Sequence, residues 1–235
     1  MFPIQDTIPS RTVPIVNWLL IMLNVLVFLF ELTVPKDQIE AFFRVYALVP
    51  AKVSSGEIDS FYPFITNMFL HGGWGHLIGN MWTLYIFGDN VEDRMGHGKY
   101  LLFYLLCGIA ASGTHYFLYS HSNVPALGAS GAISGVMGAY MFLFPYSRII
   151  FLIPIFFMPY FVEISAFFYL FMWFVGQLFS GTFSLMLTNQ AVGIAFWAHI
   201  GGFIFGMLTY KIFASRKYPE DRHADQYYLK YKNYY

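Results

Sequence analysis

The sequence is poor in charge: Asp, Glu, Lys and Arg make up 11% of its 235 residues, and the formal net charge is zero. A soluble domain carries about a quarter charged residues, and nucleic-acid-binding domains are usually basic. We therefore expect no nucleic acid among the partners. Hydrophobic residues reach 57% and aromatic residues 21%. Such a chain cannot cover itself with polar surface, which predicts that a lipid bilayer solvates much of it.

Two further absences narrow the class of protein. Cys107 is the sole cysteine, which excludes an intrachain disulfide. Residues 1–13 show neither a basic region nor a small-residue cleavage site, so we expect no removable signal peptide. The expected class is a polytopic integral membrane protein.

Six apolar stretches are long enough to span a bilayer, which takes about 20 residues. The predicted spans are Pro14–Thr33, Tyr62–Phe87, Tyr100–Tyr119, Ala126–Tyr146, Phe161–Gly181 and Val192–Phe213. Because backbone polar groups in lipid must be paired within their own segment, each span is expected to be an α-helix. The predicted fold is an all-α membrane protein, a six-transmembrane-helix bundle at 14–213, between an N-terminal segment, 1–13, and a polar tail, 214–235.

Basic residues are distributed unevenly between the two sides of the predicted bundle. Lys36, Arg44 and Lys52 fall on the side opposite the N-terminus, and the other ten of the 13 fall on its own side. Those ten are Arg11, Arg94, Lys99, Arg148, Lys211, Arg216, Lys217, Arg222, Lys230 and Lys232. Because Lys and Arg accumulate on the cytoplasmic side, both termini are expected in the cytoplasm. The compact six-span core suggests a bacterial inner membrane.

Two connections between the spans have unusual compositions. The outer one, Val34–Phe61, mixes charged and apolar residues, which suits a segment lying in the membrane interface. The connection Ser147–Tyr160 is apolar and contains two prolines, so we expect it to lie against the inner leaflet.

Polar side chains inside membrane spans are costly and by default mark function. Three of the predicted spans contain such groups: His71, His76 and Asn80 in the second, Gly128-Ala129-Ser130-Gly131 in the fourth, and His199, Gly202 and Gly206 in the sixth.

Residue spacing predicts one depth for three of these side chains. His76, Ser130 and His199 precede the basic residues at the inner ends of their spans by 18, 18 and 17 residues. At 1.5 Å per helical residue, all three would lie roughly 25–27 Å from the inner boundary. A common depth favours one shared site in the outer half of the bilayer.

Each of these residue types also has a structural explanation. A serine in a membrane helix usually packs as a small residue bonded to its own backbone, and a buried histidine can serve a structural hydrogen bond. The matched depth, and the glycines near Ser130, favour catalysis instead. Ser134, one turn further along the span, is a competing nucleophile that lacks a leading glycine.

Ser130 and His199 would supply a nucleophile and its base. Serine becomes a good nucleophile when a base takes its proton, and neutral histidine is the usual base. The acidic residues near the spans, Glu31 and Glu163, are not expected level with His199. The sequence therefore predicts a Ser-His dyad without a carboxylate.

Glycines near the two candidates are expected to shape the site. Gly128 and Gly131 would leave the Ser130 hydroxyl uncrowded. Gly202 and Gly206 form a G-x-x-x-G spacing, which lets the sixth helix approach a neighbour closely. The fourth helix is the natural neighbour, because that contact would bring the serine and the histidine together.

His76 and Asn80 are candidates for stabilising a developing oxyanion. Their i, i+4 spacing puts both side chains on one helix face, where they could add donors to those of the backbone near Ser130. The alternative is that both form hydrogen bonds between helices.

In this order, the motifs resemble the rhomboid family of intramembrane serine proteases over about Val13–Phe213. The resemblance rests on the H-x-x-x-x-H-x-x-x-N pattern of the second span, the G-x-S-G of the fourth, Ala198-His199 of the sixth, and Phe87–Gly96, which is similar to the family's second-to-third connection. It implies a six-helix core, water reaching the dyad from the outer face, and cleavage of peptide bonds in or near a substrate's transmembrane helix. It also implies small residues at the cleaved position, helix-destabilising residues in the substrate, and no metal or cofactor.

Two positions depart from the family pattern. Members usually carry an aromatic residue four after the nucleophile, stacked on the base, whereas this sequence has Ser134 there. Trp197 or another aromatic residue is therefore expected to pack against His199. The outer loop also lacks a Trp-Arg pair that some members have.

Two other functions compete with proteolysis. A non-catalytic rhomboid-like protein that binds membrane proteins or serves their quality control would not need both Ser130 and His199. A transporter or channel would need broken helices or further intramembrane charges, of which the sequence shows few.

Overall fold

The computed structural model describes residues 2–57, 61–156, 158–186 and 195–215. The helices are α1 (Ile15–Glu31), α2 (Ile39–Tyr46), α3 (Pro50–Ser54), α4 (Pro63–Thr66), α5 (Trp74–Met95), α6 (His97–Leu118), α7 (Ser130–Leu143), α8 (Ala166–Met186) and α9 (Phe196–Phe213). A 3-10 turn spans Asn67–Phe69, and the strands are β1 (Phe2–Asp6), β2 (Arg148–Ile155) and β3 (Met158–Ser165). The protein is mostly helical, as predicted, with a small sheet that was not predicted.

Two helices of the described segments are long and apolar enough to cross a bilayer, over His97–Leu118 in α6 and Ala166–Leu185 in α8. Helices α1 and α7 are apolar but shorter. Helix α5 is long but carries acidic and basic residues in its last turns. Length and hydropathy thus support two of the six predicted spans, and the count of six stays a prediction.

Helix α7 lies at the centre of the bundle, with every residue from Gly131 to Met141 buried. Helices α5, α6 and α9 pack around it. A Cβ at Gly202 would lie 2.0 Å from the carbonyl oxygen of Gly131, and a Cβ at Gly206 2.0 Å from that of Gly135. Because no side chain separates them at these glycines, the backbones of α7 and α9 are in direct contact.

The connection after α7 is a β-hairpin, which corrects both the all-α expectation and the predicted start of the fifth span at Phe161. Strands β2 and β3 are antiparallel, and β1 pairs antiparallel with β2. The branched and aromatic residues of Arg148–Ile155 favour a strand, and proline disfavours a continuous helix here. Pro154 and Pro159 face each other near the hairpin turn, and α8 begins only at Ala166.

The second predicted span, Tyr62–Phe87, is also displaced. Pro63 starts the short helix α4, and after the 3-10 turn the chain is not α-helical again until Trp74, which follows Gly73. Helix α5 then continues to Met95, so most of Phe87–Gly96 is helical rather than a connection. The turn into α6 is made at Gly96, whose φ of +79° suits glycine.

The depth estimate assumes a continuous helix from each candidate to its basic residue, and the structure has such a helix for one of the three. Helix α5 is continuous from His76 to Arg94. Helix α7, however, ends at Leu143, before the strand that begins at Arg148, so a helical rise does not measure that distance. The third marker, Arg216, lies outside the described residues.

The outer connection is fixed to the chain that leads into α7. The backbones of Leu48 and Ala126 exchange two hydrogen bonds of 3.0 and 2.8 Å, and Ala51 N–H donates to the Ser122 carbonyl oxygen over 3.0 Å. The Thr66 hydroxyl donates to the Tyr46 carbonyl oxygen over 2.6 Å. These bonds anchor the loop in which the sequence lacks the Trp-Arg pair.

We call the end of the bundle that carries β1–β3 the sheet end, and the end at which α7 begins the site end. The N-terminal segment and the end of α9 both lie at the sheet end. Thr12 donates to the Asp93 carboxylate over 2.6 Å, and Ser215 N–H donates to the Arg94 carbonyl oxygen over 3.2 Å. Nearly all of the predicted tail, 214–235, lies outside the described residues.

Candidate active site

Ser130 is the first residue of α7 and is half-buried. Two residues earlier, Gly128 has a φ of +128°, and a Cβ there would lie 2.7 Å from Cε1 and Nε2 of His76. Both the conformation and the space therefore require glycine at this position. Gly128 N–H donates to the Asn67 carbonyl oxygen over 2.8 Å, which fixes the chain just before the serine.

The Ser130 hydroxyl and the His199 imidazole are hydrogen-bonded, with 2.8 Å between Oγ and Nε2. His199 lies in the first turn of α9, one turn before Gly202. The direct contact between the α7 and α9 backbones at Gly131 and Gly202 is what brings two such short side chains together.

The other ring nitrogen of His199 is also bonded. Nδ1 lies 2.8 Å from Oε1 of Gln177 on α8. Gln177 was not among the predicted site residues, because only a carboxylate was considered as a third member. The signal was available, because a glutamine inside an apolar helix commonly marks an interhelical hydrogen bond.

Trp173, four residues before Gln177, packs on the His199 ring with 6.0 Å between ring centroids and 36° between planes. The aromatic partner of the base thus comes from α8. Trp197, the residue suggested from the sequence, instead donates its indole N–H to the Gly181 carbonyl oxygen over 3.1 Å. Ser134 is buried, and its hydroxyl donates to the Ser130 carbonyl oxygen over 2.6 Å, which is the backbone bond typical of a packing serine.

The second-span residues form a cluster beside Gly128. His76 is exposed, and its ring centroid lies 5.1 Å from that of His71. The buried Asn80 side chain contacts His71, with 3.0 Å between Nδ2 and Nε2. The backbone N–H of His71 donates to the Glu31 carboxylate over 3.1 Å, which fixes the position of this residue. In this arrangement the His76 ring borders Gly128, two residues before Ser130, whereas Asn80 is bonded to His71.

The arrangement can support nucleophilic attack and the stabilisation of an anion. The first i to i−4 bond of α7 runs from Ile133 N–H to the Ala129 carbonyl oxygen, so the N–H groups of the preceding turn have no acceptor within the helix. A cavity of about 30 Å³ lies beside Ser130, lined partly by Ala111, Gly131 and Ala198. Within the described segments, no group of three or more His, Cys, Asp or Glu side chains could hold a metal ion.

The sequence matches the family profile described as "Rhomboid domain" over residues 59–216. It is similar to Rhomboid protease GluP of Bacillus subtilis (strain 168), with 33% identity over 140 residues, which cover 59% of this chain and 26% of that protein. Putative rhomboid protease YdcA of the same organism is 30% identical over 134 residues, covering 57% of this chain and 64% of that protein.

A plant protein also matches. Rhomboid-like protein 11, chloroplastic, of Arabidopsis thaliana is 38% identical over 77 residues, which cover 33% of this chain and 27% of that protein. The chain thus spans less than two thirds of the length of each of these relatives.

Proposed function

Because the chain belongs to the rhomboid family, we propose that it is an intramembrane serine endopeptidase whose catalytic dyad is Ser130 and His199. The observation that carries this proposal is the 2.8 Å contact between Ser130 Oγ and His199 Nε2. Ser130 lies at a helix start, is half-buried and is hydrogen-bonded to an imidazole. A serine hydroxyl in such a setting meets the requirements of an activated nucleophile.

The dyad would act in two steps. In the first, Ser130 Oγ attacks the scissile carbonyl carbon while His199 Nε2 takes the hydroxyl proton. Collapse of the tetrahedral intermediate breaks the C–N bond, and the proton passes from Nε2 to the leaving amine. In the second, water attacks the acyl-serine ester, with His199 again acting as base, and releases the carboxyl product.

The oxyanion would be stabilised by two kinds of donor. The backbone N–H groups of the first turn of α7 are not bonded within the helix, and the His76 ring borders Gly128 beside the serine. Asn80 could contribute only through the amide hydrogen not directed at His71, or after that contact breaks. We therefore assign His76 the larger share of the side-chain stabilisation.

The proposed substrates are membrane proteins, cleaved in or near a transmembrane segment. The cavity beside Ser130, about 30 Å³ and partly lined by alanine and glycine, supports a preference for a small side chain at the cleaved position. It corresponds to about one water molecule in volume, so a large side chain would not fit without movement of the walls.

For orientation we propose that the sheet end faces the cytoplasm. The N-terminal segment and Ser215 lie at that end together with Arg94 and Arg148. Such a basic side is expected to be cytoplasmic. We propose a bacterial inner membrane as the location, which fractionation of the cells of origin would test.

The experiment is cleavage of a model transmembrane substrate by the purified protein in detergent. We expect Ser130→Ala and His199→Ala to abolish cleavage, and a fluorophosphonate probe to label the wild type but not Ser130→Ala. Ser134→Ala is the matched control, since that hydroxyl donates to the backbone of its own helix. It should retain activity.

Two outcomes would contradict the proposal. Cleavage that survives Ser130→Ala would exclude this residue as the nucleophile. A folded wild type that neither cleaves nor takes the label would instead favour a rhomboid-like protein that binds membrane proteins without cutting them.

A further inference from the structure

We propose that Gln177 is a positioning residue for the base: its side-chain oxygen accepts a hydrogen bond from His199 Nδ1–H and holds the ring in the tautomer that catalysis requires. This inference rests on the proposed function. It adds a third member to the predicted dyad, an uncharged amide on α8 in the place where a triad has a carboxylate.

The tautomer follows from the two bonds of the ring. A neutral imidazole carries one N–H and one lone pair. If Nδ1–H donates to Gln177 Oε1 over 2.8 Å, Nε2 is left with its lone pair. That lone pair can accept the hydroxyl hydrogen of Ser130, which lies 2.8 Å away. The opposite tautomer would set the Nδ1 lone pair against the amide oxygen and leave Nε2 unable to take a proton.

A neutral partner also suits the location. Gln177 is half-buried within the apolar sequence of α8. A carboxylate in a membrane helix is costly, whereas an amide oxygen can accept the Nδ1–H bond without bringing in a charge. The same helix supplies Trp173, whose ring packs on the imidazole. Residues four apart lie on one helix face, so α8 fixes both the hydrogen bond and the plane of the base.

The alternative is that the amide only ties α8 to α9 and has no effect on chemistry. Two substitutions separate the alternatives. Gln177→Met keeps the length of the side chain but replaces the amide oxygen by a thioether, which is a much weaker acceptor. Gln177→Glu keeps the shape of the side chain, and its carboxylate can accept a hydrogen bond from His199 Nδ1–H whether the imidazole is neutral or charged. It should therefore restore the tautomer that carries its hydrogen on Nδ1. Thr182→Val is the matched control on α8, because Thr182 is exposed and bonds to its own helix at the Leu178 carbonyl oxygen.

The test measures kcat, KM and the pH dependence of kcat for substrate cleavage, together with the rate of fluorophosphonate labelling and the thermal unfolding midpoint. We expect Gln177→Met to lower kcat and the labelling rate about tenfold, the worth of one hydrogen bond, with KM unchanged. Gln177→Glu should recover most of kcat. It should also move the acid limb of the pH profile to higher pH, because a carboxylate stabilises the protonated ring.

Two results would overturn this inference. The first is a Gln177→Met variant whose kcat and pH profile equal those of the wild type. The other is equal loss in Gln177→Met and Gln177→Glu with a lowered unfolding midpoint, which would indicate helix packing alone. Either result, alongside inactive Ser130→Ala and His199→Ala, leaves the proposed protease intact. An unlabelled, inactive wild type would instead mean that the proposed function itself fails.

Discussion

The two ends of the bundle use polar side chains in opposite ways. At the sheet end, the fully buried Glu92 accepts hydrogen bonds from the N–H groups of Val16 and Asn17 at 3.0 and 2.7 Å and also contacts His97. At the site end, Ser130 and His199 are half-buried, and His76 is exposed. A carboxylate with several donors fixes one arrangement, whereas exposed groups can exchange partners. Glu92 thus fixes the fold at the sheet end, whereas the groups proposed to react at the site end stay open to a substrate.

Substitution of His76 should have the largest effect on activity. Because its ring is exposed beside Gly128 and Ser130, His76→Ala should lower kcat about 100-fold, the usual cost of losing one oxyanion donor. Asn80→Ala should lower kcat less, since that amide is bonded to His71. Steady-state kinetics measure both, and His121→Ala, an exposed loop histidine, is the control. A larger loss in Asn80→Ala would reverse our assignment.

A methyl group at Gly202 should have nearly as large an effect. Its Cβ would lie 2.0 Å from the Gly131 carbonyl oxygen, so α7 and α9 would have to separate. Ser130 and His199 would then move apart, and a misplacement of about 1 Å can cost up to about 100-fold in rate. Gly113→Ala is the matched control, because a Cβ there would meet nothing within 4 Å. Kinetics of Gly202→Ala that equal those of the control would contradict the close contact.

Glu92→Gln should affect stability and leave catalysis alone. The amide can no longer accept from both first-turn N–H groups of α1, so the free energy of unfolding should fall by about 2 kcal/mol. The kcat of the folded protein should be unchanged. Thermal unfolding in detergent measures the loss, with Glu40→Gln on the exposed face of α2 as the control. A loss of kcat without a loss of stability would mean that the two ends are not independent.

The sequence singled out polar side chains that the structure brings together, but it misplaced several elements of the fold. A serine and histidines inside apolar stretches are costly, so Ser130, His76 and His199 could be singled out without a structure. Gln177 obeys the same rule and was missed because only acidic residues were considered as partners of the base. What no local pattern could show is that α8 also carries the aromatic partner of His199, since that depends on how two distant helices pack.

The errors in the fold have a common physical cause. A short apolar run has no periodicity that separates a strand from a buried helix, so Arg148–Ile155 was assigned to a connection and β3 partly to a span. The acidic residues after Phe87 predict the end of a helix there, whereas α5 continues to Met95. They are helical, and their burial is possible because Glu92 accepts hydrogen bonds from the start of α1 and Asp93 accepts one from Thr12, both far away in sequence.

The expected effect that is smallest at any single pH step is a pH dependence of stability at the sheet end. The Asp6 carboxylate in β1 accepts hydrogen bonds from the Asn90 amide, over 2.8 Å, and from the Tyr140 hydroxyl. Burial raises the pKa of Asp6 well above its usual value, and the nearby Asp89 carboxylate adds to the increase. The folded protein therefore holds this proton more tightly than the unfolded chain does. Its free energy of unfolding should fall as pH rises from the usual pKa towards the raised one.

Asp6→Asn keeps an oxygen acceptor for both donors and removes the ionisation, so it should flatten this dependence. The free energy of unfolding plotted against pH has one slope in the wild type and another in Asp6→Asn. These two slopes can differ by at most about 1.4 kcal/mol per pH unit for one group. Thermal unfolding measured between about pH 5 and 8 tests it, with any slope left in the variant assigned to other acids such as Asp89. Parallel curves for Asp6→Asn and the wild type would show that Asp6 does not change protonation on unfolding. The cleavage rate per folded molecule should be the same in both proteins, because the ionisation lies at the end of the bundle opposite Ser130.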